Sequence, residues 1–569
     1  MLKKWFVLFF VSTYLSGYSQ VPTTEKYIYP LNLPPLLSAT FGELRPNHFH
    51  AGLDFKTQGK TGWKVKAVKS GYISRIKVQK GGYGKAIYIQ HPDGNISVYA
   101  HLEKFAGDLE QFVKSKQYQH KSFFIDLEIP ESLFPVRQGQ VIGYSGNTGS
   151  SMGPHLHFEI RKGMNVPLNP MLFGLTVEDH QKPVLKNVYL YALNDTSHVN
   201  MQNNKIKLNI YKNKTGIFIS EPVTAYGEIG VGITAYDLQD KTWHKNGVYK
   251  VELIVNGMKI YESRMDKVSY STTRYINTMI DYPFYYHYRQ YIQKLWKHPR
   301  ANLPVFAALI NKGKIKVENG KTYQITVHLY DFQRNKTSFK TTIQGKKING
   351  FTGKKTDRTP FLLSPGQSLR IHSSLTDVFF PKGSVYDPVY IAFSETSNGF
   401  FIRPEDIPFH KPFVVKYSLK NQPDALKKFL YLASIHPRTG KKRFASAIKS
   451  HDSLILQTRT PGRYELAIDS IPPVITGLNI QDNKWISNYR YLKFKVFDKH
   501  SGVKKVEGYL DGRWILLEWD YKTGKVFYNF NDLKPEGTKH TIQLIVTDKV
   551  GNRTEKTIHF YRKFAHEHG

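Results

Sequence analysis

Lys85-Ala-Ile-Tyr-Ile-Gln-His-Pro-Asp-Gly-Asn-Ile-Ser-Val-Tyr-Ala-His101 decides the fold class. Two runs of alternating apolar residues flank the turn Pro92-Asp-Gly-Asn95, which is the pattern of a β-hairpin. Alternation recurs in Lys64-Val-Lys-Ala-Val and in Gly71-Tyr-Ile-Ser-Arg-Ile-Lys-Val. The composition agrees, because 37 Tyr and 35 Phe suit pleated, half-buried surfaces better than helices. The chain reads as mainly β.

At 569 residues it is too long for one domain. Residues 28–175 hold an antiparallel β-sheet domain. A segment of different pattern interrupts it over about 103–136. There, Phe105, Leu109, Phe112 and Val113 have helical spacing, and Phe123-Phe-Ile-Asp-Leu-Glu-Ile129 reads as a strand. About three β-sandwich, Ig-like domains are expected to follow, over 176–346, 347–470 and 471–563.

The first and last of these share a repeat. Ile233-Thr-Ala-Tyr-Asp237 matches Phe494-Lys-Val-Phe-Asp498. Gly247 and Gly257 match Gly502 and Gly512. Asp331 to Asn335 matches Asp548 to Asn552. The proline pair in Ile471-Pro-Pro473 marks the last linker.

Met1-Leu-Lys-Lys4, the apolar stretch to Leu15 and the small residues Gly17 and Ser19 read as a signal peptide over 1–19. The expected location is therefore periplasmic, or extracellular at the cell envelope. No later stretch is apolar and long enough for a transmembrane helix. The chain has no cysteine, which excludes disulfides, thiolate zinc sites and a cysteine nucleophile. Lys+Arg total 81 against 45 for Asp+Glu, an excess that suits an anionic surface partner. The charge is spread along the chain and no base-stacking or groove-binding motif accompanies it, so nucleic acid is not expected.

Four short stretches carry the chemistry. They are His50-Ala-Gly-Leu-Asp54, Tyr99-Ala-His101-Leu, Gly143-Tyr-Ser-Gly-Asn-Thr-Gly149 and Gly153-Pro-His155-Leu-His157-Phe-Glu159. In an extended strand, residues two apart share a face, so His155 and His157 point into one space. His50 and Asp54 are also evenly spaced, and Gly52 between them permits a close backbone approach. Imidazoles and a carboxylate suit Zn²⁺ with one tetrahedral position left open. Hydrolysis is the chemistry such a site performs. A phosphate loop is excluded: Gly59-Lys60-Thr61 has the right ending, but Asp54 stands where the required first glycine would be.

Residues 45–171 resemble the lysostaphin-type zinc endopeptidases of peptidoglycan. The resemblance rests on the four stretches above and on Val65-Lys-Ala-Val-Lys-Ser-Gly71, Gly139-Gln-Val-Ile-Gly143 and Pro167-Leu-Asn-Pro170. It implies that the segment about 103–136 is an insertion in the compact family pattern, and that His50, Asp54 and His157 hold one zinc ion. It implies that His101 and His155 are unligated catalytic histidines, with the general base left open between them. The expected substrate is the peptide crosslinks or stems of peptidoglycan, in wall remodelling or lysis. The C-terminal domains would engage an envelope protein or an anionic surface. The rival expectation is a catalytically silent envelope scaffold, or an activator of another wall hydrolase. Arg45 is a candidate for a substrate carboxylate, and Glu159 for an outer partner of the metal site. His48 is expected at the rim, and His91 in a structural role.

Overall fold

The computed structural model describes residues 26–563, apart from 352 and 354–357. The expected leader, residues 1–19, lies outside them. The chain is mainly β, and its helices are few and short. Among the described residues no helix is long and apolar enough to cross a membrane.

A nine-stranded sheet builds the N-terminal part. Its main path uses β1 (Leu37–Ala39), β2 (Leu53–Lys56), β3 (Gly71–Val78), β4 (Lys85–Gln90), β5 (Asn95–Leu102), β6 (Ile125–Glu128) and β7 (His155–Lys162). The order in space is β1-β2-β7-β5-β4-β3-β6. The last long strand, β7, thus inserts between β2 and β5, antiparallel to both. The β4–β5 hairpin forms around Asp93-Gly94, as its sequence indicates, with Gly94 at φ 81°.

Two details depart from the alternation. Strand β3 buries Ile73, Ile76 and Val78, which are not evenly spaced. A bulge between Ile73 and Arg75 absorbs Ser74 and restores the inward phase. In the insertion, the helix α1 spans Gly107–Gln119, with Leu109 and Val113 buried. Phe105 lies just before it, on the short strand Lys104–Phe105. The following strand is shorter than the apolar run suggests, at Ile125–Glu128.

Three further β assemblies follow. Strands over 184–345 form a thirteen-stranded network around the long strand Val223–Tyr236. A six-stranded and a five-stranded sheet over 361–468 enclose one core, which includes Phe380, Phe400 and Phe413. A four-stranded and a five-stranded sheet over 474–561 enclose another, which includes Phe494, Tyr528 and Phe560. Of the repeated glycines, Gly257 and Gly512 sit in hairpin turns. Asn256-Gly257 and Asp511-Gly512 all adopt positive φ, 48° and 83° in the first pair and 48° and 76° in the second.

The N-terminal core does not end with its own sheet. Met265, Val268, Ile276 and Met279 join the cluster that contains Phe49, Leu53, Tyr99 and Phe158. A segment of the following module therefore packs under the sheet that carries the candidate site.

Candidate active site

Strand pairing sets the site. In the β2–β7 register His157 stands opposite Asp54, so both side chains leave the same face of the sheet. Gly52 makes this pairing possible. A Cβ on it would meet the Phe158 carbonyl oxygen at 2.2 Å. Along β7, His155, His157, Glu159 and Arg161 alternate onto that same face.

Three donor atoms converge. His157 Nδ1 lies 2.8 Å from Asp54 Oδ1, and His50 Nε2 lies 3.2 Å from each of them. The outward nitrogens are engaged as donors. His50 Nδ1 donates to the Thr40 carbonyl at 2.7 Å, and His157 Nε2 donates to Glu159 Oε1 at 2.8 Å. Each imidazole therefore turns its remaining nitrogen toward Asp54. Two ring nitrogens and a carboxylate oxygen meet with no neutral donor between them, and only positive charge satisfies that arrangement. Burial works against a charge on His157, but Asp54 and Glu159 outweigh it and push its pKa up to about 9. Burial likewise opposes ionisation of Asp54, yet His50 and His157 hold its carboxyl well below the usual range. The field at this point favours a cation, and the two-nitrogen, one-oxygen donor set fits zinc.

His101 and His155 stand beside the cluster. Their rings are 4.8 Å apart, and His101 is 5.8 Å from the His157 ring. His101 Nδ1 donates to the Thr148 carbonyl at 2.9 Å, and His155 Nδ1 to the Gly153 carbonyl at 2.8 Å. Both Nε2 atoms are left as lone pairs, and that of His155 is 3.6 Å from Asp54 Oδ1. Burial, then repulsion from His157 and His155, pushes His101 down to about 3. Burial also lowers His155. Both imidazoles are therefore neutral near pH 7, each with an Nε2 lone pair beside the cluster.

The turn that carries His101's partner is tightly built. His101 itself adopts φ 60°. A Cβ on Gly146 would meet Glu103 N at 2.3 Å and the His101 carbonyl at 2.7 Å, so only glycine lets the 143–149 turn close against β5.

Arg45 pairs with Glu43 at 2.9 Å and is partly exposed. His48 is exposed, with Nδ1 2.9 Å from the Pro46 carbonyl. His91 is buried and bridges the Ser70 carbonyl and the Ser97 hydroxyl, at 2.9 and 2.8 Å. Glu159 is fully buried.

Several contributors carry no motif. Glu159 Oε1 accepts the Tyr83 hydroxyl at 2.5 Å, and Oε2 accepts Arg161 Nε at 2.6 Å and the Tyr270 hydroxyl at 2.7 Å. Arg161 sits four residues after His157 on the same strand face, so its even spacing was a usable signal. Tyr270 comes from the next module, 111 residues from Glu159. Nothing in the local sequence marks it.

Residues 48–118 and 134–170 match Peptidase family M23. This part of the chain is an M23 domain, homologous to peptidoglycan metallopeptidases. The DD-carboxypeptidase/endopeptidase Mpg of Neisseria meningitidis serogroup B is 33% identical over 153 residues, which cover 25% of this chain and 29% of that protein. Lysostaphin of Staphylococcus simulans is 32% identical over 111 residues, covering 19% of this chain and 17% of its own. The solved catalytic domain of lysostaphin from that species is 27% identical, with 24% of this chain and 87% of that chain covered and a TM-score of 0.18. The match thus spans less than a third of the length of either curated relative.

Proposed function

We propose that this protein is an exported zinc-dependent endopeptidase that hydrolyses peptide crosslinks or stems of peptidoglycan. The observation that carries the reading is the convergence of His50, Asp54 and His157, with two neutral histidines beside it. The M23 match and the peptidoglycan-directed relatives support the substrate class. Zinc held by His50, Asp54 and His157 would supply Lewis acidity toward a peptide carbonyl and acidify a water.

The chain's own residues do the rest. Glu159 and the Thr40 carbonyl fix the ring orientations of His157 and His50. The Nε2 atoms of His101 and His155 take the proton from the attacking water and deliver it to the departing amine. When charged, they also stabilise the oxyanion that develops on the scissile carbonyl. The C-terminal sandwiches, with the chain's excess of positive charge, hold the enzyme against an anionic wall or an envelope protein.

The test incubates purified protein with defined peptidoglycan, with and without a chelator and beside His157→Ala. Mass spectrometry of the released fragments is the readout. Cleavage that the chelator and the substitution both abolish is the expected result, and fragment masses name the bond. No cleavage of any crosslink type by protein carrying stoichiometric zinc would instead establish the silent scaffold.

A further inference from the structure

Asp179, Asp237 and Asp331 meet where the peptidase domain joins the first sandwich. One carboxylate oxygen of each lies within 4.8 Å of the other two. All three residues are buried, at 7%, 4% and 2% exposure. Asp179 comes from the linker after the peptidase domain. Asp237 follows the long strand Val223–Tyr236, and Asp331 follows the strand Thr322–Tyr330. Asp179, Asp237 and Gln239 line a cavity together with Thr40, Phe41 and Tyr249. Its free space is about 20 Å³, room for one water-sized species.

Two oxygens in this cavity point to a ligand. Asp237 Oδ1 and Gln239 Oε1 are buried and accept no hydrogen bond from any described residue. Leaving such oxygens bare is costly, and native proteins avoid it. Carboxylate and amide oxygens are the ligands of hard cations. Oxygens bound to one Ca²⁺ at about 2.3–2.6 Å stand no more than about 5 Å apart, and the three carboxylates meet that limit.

The last sandwich offers an internal comparison. Asn335 Nδ2 donates to the Asp179 carbonyl and to Asp331 Oδ2, and Asn552 Nδ2 does the same for Asp469 and Asp548. The counterpart triad, Asp469, Asp498 and Asp548, meets the same 4.8 Å limit, but the copies differ at Asp498, the counterpart of Asp237. Asp498 Oδ1 accepts the backbone N–H groups of His500 and Gly502. In the first copy, residues 238–246 separate Asp237 from Gly247, and Asp237 Oδ1 loses those donors.

We propose that Asp179, Asp237 and Asp331, with Gln239, bind one divalent cation of the calcium type at the joint between peptidase domain and first sandwich. The cation ties the linker to two strand ends. It also braces the segment that orients a zinc ligand, because Thr40 lines the same cavity and its carbonyl holds His50 Nδ1.

The zinc-loaded full chain is titrated calorimetrically with Ca²⁺, and with Tb³⁺ by luminescence excited through tyrosine, since Tyr249 lines the cavity. The expected result is Ca²⁺ uptake with a Kd between about 10⁻⁶ and 10⁻³ M and a rise in Tm. Asp237→Asn should weaken uptake by at least about tenfold while raising the calcium-free Tm, because it relieves repulsion. A residue needed only for packing would lower that Tm instead. Asp498→Asn should leave this uptake unchanged. Should Asp237→Asn fail to fold, Gln239→Ala carries the same expected loss of affinity. No uptake of either ion at millimolar concentration, or uptake unaltered by the Asp237 and Gln239 variants, overturns the proposal.

Discussion

Glu159 is the residue on which the site's outer bonds converge. It is fully buried, and its two oxygens accept from His157, Tyr83, Arg161 and Tyr270. Burial opposes its ionisation, but Arg161 and His157 keep it ionised. Its charge in turn keeps the His157 Nε2 proton outward and Nδ1 toward Asp54. Glu159→Gln preserves the shape and removes the charge. Zinc affinity should then fall by about 10–100-fold, measured by competition with a chromophoric chelator. His101→Ala and His155→Ala should behave oppositely. Neither belongs to the converging donor set, so zinc content should remain stoichiometric. The kcat on a defined crosslinked peptide should drop by about 10²–10⁴-fold for the one that moves the proton. His50, Asp54 and His157, which the structure brings together, were legible as candidates because a cysteine-free chain draws zinc ligands from His, Asp and Glu, but the pairing of His157 opposite Asp54 comes from strand register and not from spacing along one strand. Tyr83 and Tyr270 were not, because a tyrosine hydroxyl that meets a carboxylate across 76 or 111 residues leaves no local pattern.

At the scale of elements, the site depends on how closely β2 approaches β7. Gly52 sets that distance, since an added methyl would lie 2.2 Å from the Phe158 carbonyl oxygen and 2.9 Å from Glu159 Cγ. Gly52→Ala must push the strands apart, which separates His50 from His157. The expected cost is about 1–3 kcal/mol of stability, with a larger loss of zinc affinity than any surface glycine substitution causes. Thermal unfolding with and without zinc separates the two effects. Hairpins were the most readable elements, because Asp-Gly and Asn-Gly turns announce themselves by chemistry. Element ends and bulges were the least. The bulge at Ser74 and the placement of Phe105 outside α1 follow from partner strands, not from the residues themselves.

The whole molecule folds back on itself. The last sandwich touches the peptidase domain through Lys85–Glu518 at 3.1 Å, Lys114–Asp532 at 2.7 Å and the Tyr118–Trp514 ring contact at 5.4 Å. The helix α1 is thus a docking element for that sandwich, a role its own amphipathic pattern does not reveal. One further contact reaches the site. Lys522 Nζ donates to the Asn147 carbonyl at 2.6 Å and to the Ser151 carbonyl at 3.0 Å. Between those carbonyls lies Thr148, whose own carbonyl holds His101 Nδ1, and the Ser151 hydroxyl lies 3.2 Å from His155 Nδ1. A side chain 375 residues from Asn147 along the sequence therefore braces the turn that orients His101 and His155. Lys522→Ala should leave zinc affinity intact, because no converging donor touches this turn. A loss of about 1 kcal/mol in positioning corresponds to about a fivefold fall in kcat. KM should change little, since Lys522 acts through the turn and not on the substrate. A variant with wild-type kcat would show that the last sandwich docks beside the site without acting on it.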